Sequence, residues 1–312
     1  MSEEALQQRK VRGESPSGLA LAAAVAWCRI QSLAARAAVG HAFLRRLLDS
    51  GERLTGALFC EALRIDEKSR LTVCIYDFYP DYKRVDASLN SWEEAWFEKR
   101  MPRPPARILV GACGSGREAV ALVERGYAVD ALEPAPEFAP QARRRLGPAT
   151  RVMQLTYEQL SAAVLTGGAG AAEELRAARY DAVLLGYGSL AHVLDVREQR
   201  RLLRALDLLC PAGPILATFL CGADSSEPAR TGRAERLGGR IGRGLARLRR
   251  LPPGGSNRLS YRPRRGFAYT FTRREIEELA GTVGRPVAWE CGTVQPSHCA
   301  TFLPGAAPVN RA

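Results

Sequence analysis

The sequence predicts a doubly wound α/β fold, a mostly parallel sheet with helices on both faces, carrying a helical N-terminal extension. Three stretches support that expectation. In Arg107–Glu133 an apolar run breaks into a glycine turn, continues as a helix and returns as a second apolar run that ends on an acid. In Tyr180–His192 an apolar run ends in Gly186-Tyr187-Gly188-Ser189, and in Arg197–Phe219 an amphipathic helix leads through a Pro/Gly turn into another apolar run. Strand and helix alternate, as parallel pairing requires.

In chain order, residues 1–16 are polar. From 18 to 64 the sequence is rich in Ala and Leu with arginines at intervals and a break near Asp49-Ser50-Gly51. This reads as two or three helices, suited to a cap or a dimerisation surface. Leu71–Tyr82 follows, then Ser91–Arg100, where Trp92, Trp96 and Phe97 share a helix face that docks on the core. Pro102, Pro104 and Pro105 mark a boundary, so that 1–100 is read as the extension and 101–312 as the α/β domain.

Within that domain Ile108–Val110 is a buried strand and Gly111–Gly116 a tight turn. Ala119, Val120, Leu122 and Val123 then recur at helical spacing until Gly126, and Tyr127–Leu132 is the next strand. A helix around Pro140–Leu146 precedes a strand at Arg151–Leu155, and Ala162–Ala178 is an Ala/Gly-rich connection. Strand Ala182–Leu185 follows. Leu202, Leu203, Leu206 and Leu209 then form the apolar face of a helix that Pro211-Ala212-Gly213-Pro214 ends before strand Ile215–Phe219. Thr272-Arg273-Arg274-Glu275 is a capping box opening a helix through Ala280, and Val287–Glu290 and Cys299–Leu303 read as short strands.

Composition narrows the partners. The 312 residues carry a net charge of +12, yet only four of the 45 basic residues are lysine and alanine abounds, which points to coding bias rather than to a polyanion partner. Ser226–Arg265 is the exception. It holds twelve arginines against Glu227 and Glu235, and reads as a solvated insertion or as a lid that attracts an acidic substrate. The eight cysteines show no C-x-x-C and no metal-ligand spacing to the three histidines, so reduced thiols, a cytoplasmic location and no metal site are expected. Gly18–Cys28 is apolar, but acids precede it and Arg29 follows, which argues against a secretion signal. No run reaches the roughly 18 apolar residues of a membrane span.

The glycine turn and Glu133 carry the chemistry. Glycines let the chain turn tightly and let a ligand approach the backbone, and an acid ending the second strand can accept ribose hydroxyls. A nucleoside-containing cofactor is therefore expected, under two readings. From Gly114 the turn is G-S-G-R-E-A, which satisfies the dinucleotide fingerprint G-x-G-x-x-G/A and makes an NAD(P)-dependent oxidoreductase one option. From Ala112 it is A-x-G-x-G, which resembles the first motif of the class I S-adenosylmethionine-dependent methyltransferases, of Rossmann-like fold. In that family the pattern is acid-x-G-x-G-x-G, so Val110 and Ala112 depart from it.

The Tyr180-Asp181 strand, the following helix, the P-x-G turn and strand Ile215–Phe219 resemble the same family's core. The resemblance covers about 107–303 and favours methyl transfer. It implies an antiparallel last strand and S-adenosyl-L-methionine as cofactor. The methionine end would lie over Gly111, Ala112, Cys113, Gly114 and Gly116, the ribose on Glu133, and the adenine near Thr156, Tyr157, Glu158, Gly186 and Tyr187. Tyr76, in a Tyr-Asp pair, would cover the cofactor, and His192 is the first candidate base, ahead of His298. A small-molecule acceptor, with an acidic group that the arginines would attract, is preferred over RNA or protein. A non-catalytic binding protein of the same fold is the remaining alternative.

Overall fold

The computed structural model describes residues 16–37, 42–78, 88–167, 174, 176–222, 232–251, 258–262, 265–290 and 298–305. The helices are α1 (Pro16–Ala37), α2 (Ala42–Ala62), α3 (Ile65–Phe78), α4 (Ser91–Arg100), α5 (Arg117–Glu124), α6 (Phe138–Leu146), α7 (Tyr157–Thr166), α8 (Val196–Leu209), α9 (Arg233–Leu248) and α10 (Arg273–Gly281). The strands are β1 (Arg107–Gly111), β2 (Ala128–Leu132), β3 (Arg151–Met153), β4 (Ala182–Leu185), β5 (Ile215–Cys221), β6 (Leu259–Arg262), β7 (Gly266–Phe271), β8 (Val287–Trp289) and β9 (His298–Phe302). Two expectations change. Ala162–Thr166 continues α7 instead of entering the connection, because Ala and Leu sustain the helix until Gly167 at φ 75° ends it. Residues 233–248 of the arginine-rich stretch are helical rather than a solvated insertion, while 226–231, 252–257, 263 and 264 lie outside the described residues.

The chain forms two compact units, one of Met1–Tyr79 with Pro228–Phe267, the other of Pro80–Glu227 with Ala268–Ala312. The arginine-rich stretch, expected as an insertion of the α/β domain, thus shares a unit with the N-terminal helices. α4, expected in the extension, belongs to the sheet unit.

In the sheet unit β3-β2-β1-β4-β5 are parallel in that order, β9 runs antiparallel beside β5, and β8 antiparallel beside β9. This is the Rossmann-like doubly wound arrangement, with its strand order reversing between β1 and β4. Right-handed crossovers place α5 and α6 on one face and α7 and α8 on the other. Accordingly α5 touches α6, and α8 touches α7 and α10. Ile108, Leu109 and Val110 of β1 and all of β4 are buried, as strands covered on both faces must be. α4 docks through Trp96, whose indole N–H donates to Thr301 Oγ1 at 2.9 Å. The side chain of Arg285 is fully buried, with Nε 2.6 Å from Asp207 and its other nitrogens on the carbonyls of Cys210 and Gly213, which fixes the turn before β5. Cys28, Cys60, Cys74, Cys113, Cys210 and Cys221 are not disulfide-bonded. Cys299 is disulfide-bonded, against the expectation of reduced cysteines throughout. No helix among the described residues is long and apolar enough to cross a membrane.

In the helical unit α9 lies on α2 at backbone contact. A Cβ on Gly238 would stand 2.0 Å from the Leu54 carbonyl oxygen, and one on Gly242 2.6 Å from that of Leu58, so only glycine fits either crossing point. Arg243 pairs with Glu61 at 3.2 Å and Arg249 with the fully buried Glu67 at 2.7 Å. The Tyr261 ring closes on Gly56, edge-on to Phe59 and Phe267.

This contact predicts opposite effects for two alanines in one helix. Gly238→Ala overpacks the crossing and lowers unfolding stability by about 1–3 kcal/mol. Gly244→Ala, with nothing within 4 Å, raises it by roughly 0.5–1 kcal/mol through helix propensity. Urea unfolding of both variants checks the pair.

Candidate functional site

The site is built where β1, β2 and β4 end. The run Ile108–Val110 stays extended because it is buried on both sides, and the chain then reverses through Gly111–Gly116 into α5. The reversal uses left-handed backbone at Ala112 (φ 47°), Gly114 (φ 59°) and Gly116 (φ 97°). Glycine adopts this region freely. Ala112 does not, and holds it at a cost of about 1–2 kcal/mol.

Glu133 holds the turn in place. It is 4% exposed; one carboxylate oxygen accepts the Gly114 N–H at 2.6 Å and the other the Ala135 N–H at 2.9 Å. The Cys113 N–H donates to the Leu132 carbonyl at 2.9 Å. The acid expected to face a ribose is thus also the clamp between the glycine turn and the end of β2.

The open side of Gly111 is met by Tyr157. A Cβ there would lie 2.6 Å from the Tyr157 hydroxyl, which is 2.9 Å from Ser189 Oγ. Burial raises the pKa of Tyr157 above the ordinary phenol range, so the hydroxyl stays protonated and can donate. Beyond β4, Gly186 packs on Glu118, whose Oε1 would be 2.9 Å from an added Cβ. Glu118 is buried and pairs with Arg117 at 2.8 Å, and Arg117 in turn forms two hydrogen bonds with Glu93, at 2.6 and 2.8 Å. Burial disfavours the Arg117 charge, but Glu93 and Glu118 outweigh it and raise its pKa. Its guanidinium lies 5.5 Å from the centroid of the Tyr187 ring. Tyr187, at φ 51°, is half exposed at the edge where such sheets bind ligands.

Gly111, Ala112, Cys113, Gly114, Gly116, Glu133, Tyr157, Gly186 and Tyr187 therefore converge on one edge of the sheet. Thr156 caps α7, accepting the Gln159 N–H at 3.2 Å, and Glu158 stands in the first turn of that helix. His192 ends the 3-10 turn Ser189–His192 and is half-buried. Tyr76 lies on α3, in the helical unit. His298 begins β9 opposite Phe219, and because β9 is antiparallel this is the carboxyl end of β5. Burial and then Arg273 lower its pKa, leaving it neutral at pH 7. Sequence reasoning passed over Glu93, Arg117 and Glu118, and named Ser189 only as part of the turn after β4. The signal for Glu118 was present: an acid beside Ala119, on the face that the apolar spacing of α5 assigns to the core. Among the described residues no group of three or more His, Cys, Asp or Glu gathers as a metal site would require.

No protein-family model and no curated protein matches the chain. Solved structures do. The SAM-bound amino pentose methyltransferase CalS10 of Micromonospora echinaspora is 19% identical, with 72% of this chain and 93% of that one covered at a TM-score of 0.45. The sugar N-methyltransferase KedS8 of Streptoalloteichus sp is 19% identical, with 74% and 93% covered at 0.46. Magnesium protoporphyrin IX methyltransferase of Synechocystis PCC 6803 with bound SAH is 15% identical, with 74% and 97% covered at 0.43.

Ala112 yields a prediction independent of any ligand. Ala112→Gly releases the left-handed strain and raises stability by about 1 kcal/mol, seen as a higher urea midpoint at unchanged m-value.

Proposed function

We propose that this chain transfers a methyl group from S-adenosyl-L-methionine to a small-molecule acceptor. The observation that supports this best is the antiparallel β9 beside β5, on a sheet whose glycine turn sits at the switch point between β1 and β4. A dinucleotide-binding sheet places a sixth parallel strand along β5, whereas here the parallel β7 meets β5 only at Leu220 and Cys221 and β9 covers Ile215–Phe219. The resemblance read from the sequence implies the antiparallel one.

The groups at the edge fit such a cofactor in kind. Glu133 and the glycine turn stand together at the carboxyl ends of β1 and β2, where the resemblance puts the ribose and the methionine end. Tyr187 offers a half-exposed ring for an adenine or an acceptor, and Tyr157 and Ser189 offer hydroxyls beside Gly111. Bound, the cofactor supplies a methyl group on a sulfonium for in-line displacement. The chain's part is to align the nucleophile and exclude water. For an oxygen acceptor, His192 takes the proton in this reading.

Isothermal titration with S-adenosylhomocysteine, NAD+ and NADPH tests the reading. Micromolar heat is expected from the homocysteine compound alone. Glu133→Gln is the variant of choice because it keeps the side-chain shape and one of the two backbone acceptors, where alanine would release both Gly114 and Ala135. It is expected to weaken binding roughly tenfold or more, the order of a lost charge-assisted hydrogen bond. Heat from a nicotinamide alone moves the reading to hydride transfer. Silence with all three leaves a non-catalytic protein of this fold, in keeping with Val110 and Ala112.

A further inference from the structure

We propose that α9, together with α1 of the same unit, is a docking surface for an anionic lipid bilayer. α9 is packed opposite to an ordinary surface helix, which turns its large apolar side chains to the core. It buries Gly238, Gly239, Gly242 and Ala246 instead. Leu237, Ile241, Leu245 and Leu248 are exposed, Leu248 by 80%. Their spacing of four, four and three puts them on one stripe. Backbone contact at Gly238 and Gly242 fixes this orientation, since no larger residue could take the buried positions.

About a third of a turn round the helix from that stripe run the exposed Arg233, Arg236, Arg240 and Arg247. The one acid of α9, Glu235, caps its start by accepting the Gly232 N–H. The unit also exposes Leu19, Trp27, Ile30 and Leu33 on α1. Exposed large apolar residues are therefore concentrated on these two helices, whereas ordinary surfaces scatter them singly.

Charge selects the occupant. A nucleic acid would match the arginines and leave the leucines in water. A second copy of the chain would set two arginine rows side by side with no free acid on α9 between them. An acidic amphipathic peptide would cover the α9 stripe but not Trp27 and Ile30. An anionic bilayer accepts the leucines and the tryptophan at the acyl boundary and the guanidiniums among its phosphates. The attachment is peripheral. The sequence expectation of no membrane partner rested on the lack of a span, which concerns crossing alone.

Vesicle flotation of the full chain tests the proposal. At low salt the protein is expected to float with mixed phosphatidylcholine and phosphatidylglycerol vesicles and to remain below with pure phosphatidylcholine. Arg236→Gln, Arg240→Gln and Arg247→Gln together should weaken binding by about a hundredfold, at about fivefold per arginine. Leu237→Ser with Ile241→Ser should abolish flotation while the far-UV circular dichroism spectrum stays that of the folded chain, because both side chains are about half exposed and neither belongs to the core. The proposal is overturned by absence of flotation with anionic vesicles at low salt, by equal flotation of the serine variant, or by a dimer in light scattering that the serine variant dissociates.

Discussion

The carboxylate of Glu133 is the contact on which the sheet edge depends. A tight turn with three left-handed residues has no helix or strand ladder of its own to hold it. Glu133 joins it to β2 through Gly114 and to the start of the next connection through Ala135. Two hydrogen bonds to a buried carboxylate are strong, and leaving its charge unpaired there would cost several kcal/mol. The positions of Gly111 under Tyr157 and of Gly116 at the head of α5 follow from that clamp.

Much of this was readable in the residues. The unit from Arg107 to Glu133 has an unambiguous period, because a doubly covered strand must be apolar throughout and a helix over it must be apolar on one side. Partnership was not readable. Nothing in the order of letters says that the Glu133 oxygens are taken by two backbone N–H groups, or that the Tyr157 hydroxyl rests on Gly111 from another element. These are contacts between segments far apart in sequence. Local propensity misled twice, at Ala162–Thr166 and at Arg233–Leu248, where alanine, glycine and arginine resemble connection or solvated chain. In the second case the glycines are tertiary contacts with α2 rather than helix breakers, and composition alone cannot tell the two apart.

The molecule divides its chemistry between its units. The sheet unit concentrates buried carboxylates, a paired guanidinium and hydroxyls at one edge, while the helical unit presents arginine and apolar side chains outward. Five of the twelve arginines of residues 226–265, Arg233, Arg236, Arg240, Arg243 and Arg247, lie on α9, seated on α2.

The helical unit is assembled from two separated passages of chain, and this has a consequence for biosynthesis. The surface of α2 that receives Gly238 and Gly242 is made early, but its cover lies beyond the whole first half of the sheet. At ribosomal speeds of about 5–20 residues per second, the roughly 150 intervening residues keep α2 waiting on the order of ten to thirty seconds. For that interval the nascent chain carries an uncovered helical hairpin while β1 to β5 emerge. A chaperone that shields short apolar helices would find its binding window there, and a ribosomal pause within α9 would lengthen it.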